Sequence, residues 1–438
     1  MATIRTERAR LSALKAQLLY VERNSSFFRD ALASHGIRAA DLRSWEQFLD
    51  APQIMDKVRE RELLDESSVT LGHPFGAHLC CPVGQVYRVL TTSGTTGVPT
   101  WYLFTRRDWS AAMALTRRAY DFIGVPRTSR VLYALKAGWY AGILLPEALR
   151  RGGAIVLEPG AEAPPEYLAR LIASFQPNVL IGTASGLLQV LDAASASGLA
   201  SGVARYIITG GEPAASVPAL RQRLEEGFGG TVYEVFGPVW GSMLMSCGAN
   251  PYSGLHFLSP QSGVWIEDLR SVSTDDRIPI ADGAVGHALI SALDHEAAPM
   301  LKYANGDVIR VETDRCSCGR AGLRMHLLGR KEDFFEVGGT AVALRQVQSA
   351  VTSTSALNGH FRVVVMPHSA EMLRVVAEVS AVGDAPTSHA VARELSSLLR
   401  VPVRIELLQE RVLPRTMAKT PLTITEDALA ALLGGGHV

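Results

Sequence analysis

The chain has 438 residues, 47% hydrophobic and 20% charged, and its 43 Lys+Arg balance 43 Asp+Glu; this length exceeds one ordinary core and predicts two or three domains. Zero net charge without a dense Lys/Arg run argues against a nucleic-acid partner, and no uncharged apolar stretch reaches the roughly 18 residues of a membrane span. Five cysteines in so long a chain do not make a disulfide scaffold, and Met1–Glu22 lacks a signal-peptide core, so the expected setting is the reducing cytoplasm.

Residues 1–75 read as mostly helical, with a capping-type opening at Ser44-Trp45-Glu46-Gln47 and a second helix start near Pro52–Lys57. Apolar Val89-Leu90 and Trp101–Phe104 then flank Thr91–Thr100, a strand, tight loop and strand in which Ser93–Thr100 concentrates four hydroxyl residues, two glycines and a proline. Glycines let backbone approach a ligand, successive loop N–H groups make an anion nest, and hydroxyls add donors, so the loop is a candidate phosphate grip. A Ser/Thr/Gly-rich hairpin turn has the same composition. It is not a Walker P-loop, since no GxxxxGK[ST] is present.

Beyond it, helical periodicity over Arg106–Ile123 is followed by alternating strands and helices. Strands are expected at Arg130–Leu135, Gly153–Leu157, Asn178–Gly182, Arg205–Glu212 (ending in a Gly-rich bend) and Val232–Gly237. Helices are expected from Gly138 to Arg151, Leu168 to Phe175, Ala184 to Ala194 and Val217 to Phe228. This alternation predicts βαβ units and a largely parallel sheet. Ligands on such sheets bind at the carboxyl ends of strands, where Gly210-Gly211-Glu212 and Phe236-Gly237-Pro238 fall. From Gln261 to Arg310 shorter strands suggest an antiparallel subdomain. Gly329-Arg330-Lys331-Glu332-Asp333 reads as a charged, flexible break, and residues 331–438 beyond it as a compact α+β domain.

The string S-G-T-T-G-x-P-T at Ser93–Thr100 resembles the phosphate-binding loop of adenylate-forming (AMP-binding) enzymes, and within them the phenylacetate-CoA ligase-like branch, which usually has Lys where this chain has Val98. The resemblance extends through spaced motifs from about residue 40 to residue 420. It implies an α/β fold: a large N-terminal adenylate-forming region over 1–330, with parallel α/β sheets and a small antiparallel β subdomain, and a small mobile C-terminal α+β lid over 331–438. Nucleotide contacts are implied at Ser93, Gly94, Thr95, Thr96 and Gly97, at Gly210, Gly211 and Glu212, and at Phe236, Gly237, Asp307 and Arg330. Asp307, in Tyr303-Ala304-Asn305-Gly306-Asp307, would accept both ribose hydroxyls. Glu332 stands at the family's hinge, where Asp is usual. Lys419, in Leu413-Pro414-Arg415-Thr416-Met417-Ala418-Lys419-Thr420, matches the catalytic lysine of the lid, with Arg330 as its companion. Gly338-Gly339 resembles the segment along which pantetheine passes.

The main departure is Phe236-Gly237-Pro238-Val239-Trp240, where the family reads Y-G-x-[ST]-E. Its Mg²⁺-binding Glu is Trp240 here, and an indole offers no oxygen. Cys247, His256, Cys316 and Cys318 supply a Cys₃His set suited to tetrahedral zinc, at positions where the resembled branch often holds a structural zinc. Cys80-Cys81 reads as packing. Trp139, Tyr140, Ile208 and Trp240 lie at strand ends or bends and are the expected slot for an aromatic or hydrophobic acid, though ordinary core aromatics would look the same.

The expected function is therefore ATP-dependent activation of a carboxylic acid to an acyl-adenylate, then transfer to the thiol of coenzyme A. An amine or a carrier-protein thiol as acceptor, and a catalytically weakened nucleotide- or acid-binding homologue, stay open. The implied small molecules are ATP, Mg²⁺, coenzyme A and structural Zn²⁺; no membrane partner is expected, and a homodimer is implied by family analogy alone.

Overall fold

The computed structural model describes residues 2–91, 100–135, 140–160, 162–198, 202–237, 243–258, 264–271, 276–365, 370–380, 387–415 and 420–434, without the side chains of 2–7, 140, 264–268 and 434. Contacts divide the chain into two compact units: 1–160 with 235–327, and 161–234 with 328–438. No helix among the described residues is long and apolar enough to cross a membrane.

The first unit opens on helices Ala2–Asn24, Ser26–Ser34, Trp45–Leu49 and Lys57–Thr70. Ser44 caps the third through a capping box with Gln47, as its sequence signature predicts. The fourth begins later than the sequence suggests, because Met55–Asp56 is drawn out as a strand parallel to Tyr303–Ala304. Asp56 then caps the helix by accepting from the Arg59 N–H at 2.8 Å. Strands Arg88–Thr91 and Trp101–Phe104 pair antiparallel with Thr91 opposite Trp101. Helix Arg106–Phe122 follows, capped by a Thr105–Asp108 box. Strands Arg130–Tyr133 and Ile155–Leu157 run parallel. The antiparallel part comprises Val264–Arg270, Arg277–Ile278, Val285–Ala292 and Tyr303–Glu312, in the order Arg277–Ile278, Val264–Arg270, Val285–Ala292, Tyr303–Glu312.

In the second unit, strand Val179–Gly182, helix Ala184–Ala196 and strand Tyr206–Gly210 form a βαβ unit with parallel strands. Helix Pro218–Phe228 ends on Gly229 in the left-handed conformation (φ +78°), and strand Thr231–Phe236 follows. The C-terminal part holds a sheet in the order Val403–Leu408, Leu373–Val379, Leu357–Val364, Thr423–Ile424. Helix Ser388–Leu399 makes the crossover between the parallel pair Leu373–Val379 and Val403–Leu408. Val347, Val351, Phe361, Val363, Leu373, Val375 and Leu395 form its core, each at most 1% exposed. Burying each Val or Leu contributes about 1.5–3 kcal/mol, enough to hold this α+β layer together.

The segment read as a charged break lies close to the border between the two units. Strand Arg324–Arg330 runs into a single 3₁₀ turn, Lys331–Asp333, before strand Phe334–Val337. The turn forms because Asp333 Oδ2 reaches back to accept the Arg330 N–H at 3.0 Å.

Candidate functional site

Strand Tyr303–Glu312 carries the ribose candidate Asp307. Its pairing with Val285–Ala292 slips between His287↔Val308 and Leu289↔Ala304, so three residues, Asn305-Gly306-Asp307, stand where the partner has one. Gly306 takes φ +85°, which only glycine adopts without strain. Asn305 stabilises the bulge twice: its Nδ2 donates to Asp307 Oδ2 at 2.5 Å, and its Oδ1 accepts the Asp307 N–H at 3.0 Å. The carboxylate is thereby set off the regular ladder and oriented by a neighbour.

The head of the same strand is pinned by Glu60, whose Oε2 accepts from Tyr303 Oη at 3.0 Å. Glu60 is 2% exposed. Burial pushes its carboxyl up to about 7, against the opposing effect of the Tyr303 hydrogen bond. His78 lines the same small cavity, with Met55, Trp101, Met300 and Tyr303, and burial pushes it down to about 4.

Ser93, Gly94, Thr95, Thr96, Gly97, Trp139, Trp240 and Lys419 lie outside the described residues, as does the Tyr140 side chain. The strands on either side of residues 92–100 are the antiparallel pair described above. Ile208 is fully buried in its strand, Phe236 ends its strand half-buried, and Gly237 beyond it is exposed.

In the second unit, Gly210 ends its strand, Gly211 turns with φ +80°, and Glu212 projects beyond. Glu212 Oε2 accepts the Ser185 N–H at 2.9 Å, and its Oε1 accepts the Thr420 N–H at 2.6 Å. Arg330 and Glu332 face each other across the 3₁₀ turn at 3.8 Å, with side chains 38% and 65% exposed. Gly338 and Gly339 form the two-residue tip of the hairpin Phe334–Val337/Thr340–Ala343. Their φ values of +56° and +77° are those of a type I′ turn.

Two polar groups missed by the sequence reading, Glu378 and His360, organise Leu413–Arg415, which precedes Lys419 in the sequence. Glu378, fully buried in strand Leu373–Val379, accepts from the Leu413 N–H at 2.7 Å, Arg415 Nη2 at 2.7 Å and Asn358 Nδ2 at 2.9 Å. Burial opposes its charge, yet the Asn358 and backbone hydrogen bonds and Arg415 hold its carboxyl below the ordinary range. Arg415 Nε donates to His360 Nε2 at 3.2 Å, and burial with the Arg415 charge pushes His360 down to about 4, so it accepts as a neutral ring. The available signal was a lone Glu in the otherwise apolar run Val375-Val376-Ala377-Glu378-Val379.

The metal candidates do converge. One ligand atom from each of Cys247, His256, Cys316 and Cys318 lies within 4.8 Å of the others. Cys247 Sγ is 3.7 Å from Cys316 Sγ, and Cys318 Sγ is 3.8 Å from His256 Nε2. Four bonds of about 2.3 Å in a tetrahedron put sulfurs about 3.8 Å apart, so these two spacings suit ligands of one shared metal ion. Burial pushes the Cys247 thiol up to about 12, a cost that a bound cation would reverse. Burial, with Arg324 and Arg320 nearby, pushes His256 down to about 4, leaving the neutral imidazole a metal needs. Cys80 and Cys81 are buried and outside this cluster, as packing residues would be.

The AMP-binding enzyme family matches this chain over residues 10–286. Phenylacetate-coenzyme A ligase of Thermus thermophilus is 26% identical over 359 residues, covering 80% of this chain and 76% of the relative. The enzyme of the same name from Escherichia coli is 26% identical over 365 residues, covering 80% and 77%. Among solved structures, 2-hydroxyisobutyryl-CoA ligase in the postadenylation state superposes with a TM-score of 0.86 at 23% identity, covering 98% of this chain and 91% of that one.

Proposed function

The chain belongs to the AMP-binding enzyme family, and from that premise we propose that it activates an aryl or other hydrophobic carboxylic acid with ATP and passes the acyl group to coenzyme A. The family match over residues 10–286 carries this reading, because it spans the phosphate loop, Gly210–Glu212 and Phe236-Gly237. Relatives named as phenylacetate-coenzyme A ligases support the acid class and the acceptor.

In the first step a carboxylate oxygen bonds to the α-phosphorus of ATP. The bond from that phosphorus to the bridging oxygen breaks, and pyrophosphate leaves. In the second step the coenzyme A sulfur attacks the acyl carbon, AMP leaves with its oxygen, and the thiol proton passes to solvent. No protein nucleophile is required; the work is positioning and charge stabilisation. Ser93–Gly97 would hold phosphate oxygens, Asp307 the ribose hydroxyls, and Lys419 the charge that develops at the α-phosphate. Residues 331–438 would act as the lid, hinged at Glu332, with Gly338-Gly339 along the pantetheine path and Trp139, Tyr140, Ile208 and Trp240 around the acid.

Zinc fits Cys247, His256, Cys316 and Cys318 by donor chemistry and spacing, and would serve as a structural clamp in the first unit. Magnesium fits less well. Trp240 supplies no oxygen where the family's carboxylate stands, so no step is routed through that metal.

The test is pyrophosphate release from ATP with a panel of aryl and aliphatic acids, with and without coenzyme A. Acid-dependent release together with acyl-CoA formation is expected. Absence of release with every acid would overturn the reading, and release without thioester would replace coenzyme A with an amine or carrier thiol.

A further inference from the structure

We propose that Glu212 is a positioning residue for the acid-activation step, tethering the chain immediately beyond Lys419. The proposal rests on the function proposed above and adds a residue and a step to it.

Thr420 follows Lys419 in the sequence, and consecutive Cα atoms are about 3.8 Å apart, so whatever holds the Thr420 backbone constrains where the lysine can start from. The Thr420 N–H donates to Glu212 Oε1 at 2.6 Å, a charge-assisted bond, and Thr420 is 8% exposed. Its Oγ1 lies 3.2 Å from Ser185 Oγ. Glu212 is itself fixed: its second oxygen accepts the Ser185 N–H at 2.9 Å, in the first turn of the 13-residue helix Ala184–Ala196, where the helix dipole favours an anion. Glu212 thus holds a helix start with one oxygen and the Thr420 backbone with the other. Backbone N–H groups engage both oxygens, so the carboxylate is built into a tether.

A second tether joins the same parts of the unit. Arg345, in the first turn of helix Leu344–Ser353, donates to Ser216 Oγ and reaches Glu234 Oε1 at 3.3 Å. Glu234 Oε2 in turn accepts from Ser216 Oγ at 2.8 Å and from the Ala214 and Ser216 N–H groups at 3.3 Å. With Arg345 holding that helix, loss of Glu212 frees Thr420 locally rather than the whole C-terminal part. The tether serves the activation step, in which Lys419 would meet the α-phosphate, and not the transfer step.

The experiment compares the full-length protein with Glu212→Ala, Glu212→Gln and Thr420→Pro. Three quantities are read: acid-dependent pyrophosphate release, thioester formation from supplied acyl-adenylate and coenzyme A, and amide hydrogen exchange at Thr420 without substrates. Glu212→Ala is expected to lower kcat for pyrophosphate release about tenfold or more, since misplacing a catalytic group by about 1 Å can cost a hundredfold. KM for ATP and the thioester rate should stay within about twofold. Thr420→Pro, which removes the N–H, should reproduce the same split. Glu212→Gln keeps one carbonyl oxygen and should fall between. Exchange at Thr420 should quicken in both Glu212 variants, while strand Val403–Leu408 stays protected. A raised KM for ATP with kcat unchanged would make Glu212 a nucleotide contact and overturn the proposal. Equal loss in both half-reactions, or unchanged exchange at Thr420, would overturn it too. If the unmodified protein activates no acid, the proposed function fails, and the exchange measurement still decides the tether.

Discussion

Replacing Glu60 with Gln removes a proton-binding site from the anchor of the Asp307 strand. Glu60 is 2% exposed, touches Tyr303 Oη at 3.0 Å, and has a carboxyl pushed by burial from its ordinary 4.5 up to about 7. The folded protein therefore holds this proton more tightly than the unfolded chain does. Below about pH 4.5 both states keep it. Between about 4.5 and 7 the unfolded chain ionises first, so stability falls as pH rises, and above about 7 the folded state carries a buried charge. At about 1.4 kcal/mol for each tenfold change in proton affinity, the rise amounts to about 3 kcal/mol. His78, in the same cavity and pushed down to about 4, has the opposite slope: stability rises with pH from about 4 to its ordinary 6.5. The two tend to cancel in the parent protein, so the difference between variant and parent is the quantity to measure. Chemical denaturation of both from pH 4.5 to pH 8 should show Glu60→Gln gaining about 3 kcal/mol relative to the parent across that window. A difference that stays flat with pH would refute the reasoning, because Glu60 would then not be held protonated by burial.

Three further outcomes follow from the site. Glu378→Ala leaves Arg415, Asn358 and the Leu413 N–H without their acceptor and should cost about 3 kcal/mol, read by thermal denaturation. Because the folded carboxyl of Glu378 lies below the ordinary 4.5, its contribution is full above about pH 4.5 and fades as pH drops through the folded value, so the variant's deficit should shrink in acid. Cys316→Ser should reduce zinc in chelator-washed protein from near one equivalent to under about half, by elemental analysis, with a lower melting temperature. Trp240→Glu restores an oxygen donor and should lower the Mg²⁺ concentration needed for half-maximal pyrophosphate release; an unchanged requirement would place the metal elsewhere.

Local signals in the sequence were the readable ones. Ser44 with Gln47 marked a cap that the structure forms, and alternation from Arg130 to Phe236 marked the strands and helices that it contains. The Cys/His set was legible as residue types, but only folding brings Cys247 and His256 to Cys316 and Cys318 across a gap of sixty residues or more in the chain. The bulge at Asn305-Gly306-Asp307 arises from a register slip against Val285–Ala292, which no single segment reveals. The grouping of 161–234 with 328–438 rests on distant contacts such as Glu212 with Thr420, which no single segment of the sequence reveals. The 3₁₀ turn at Lys331–Asp333 was hidden by its charge: four ionisable residues in a row suggest solvated chain, yet Asp333 spends its carboxylate on the Arg330 N–H.

The central claim is that the acid's own oxygen attacks the α-phosphorus of ATP. Turning over a carboxyl-labelled oxygen-18 acid with ATP and coenzyme A and weighing the products by mass spectrometry tests it directly. One labelled oxygen should appear in AMP, with none in pyrophosphate. Label in inorganic phosphate accompanied by ADP, or unlabelled AMP, would contradict the account.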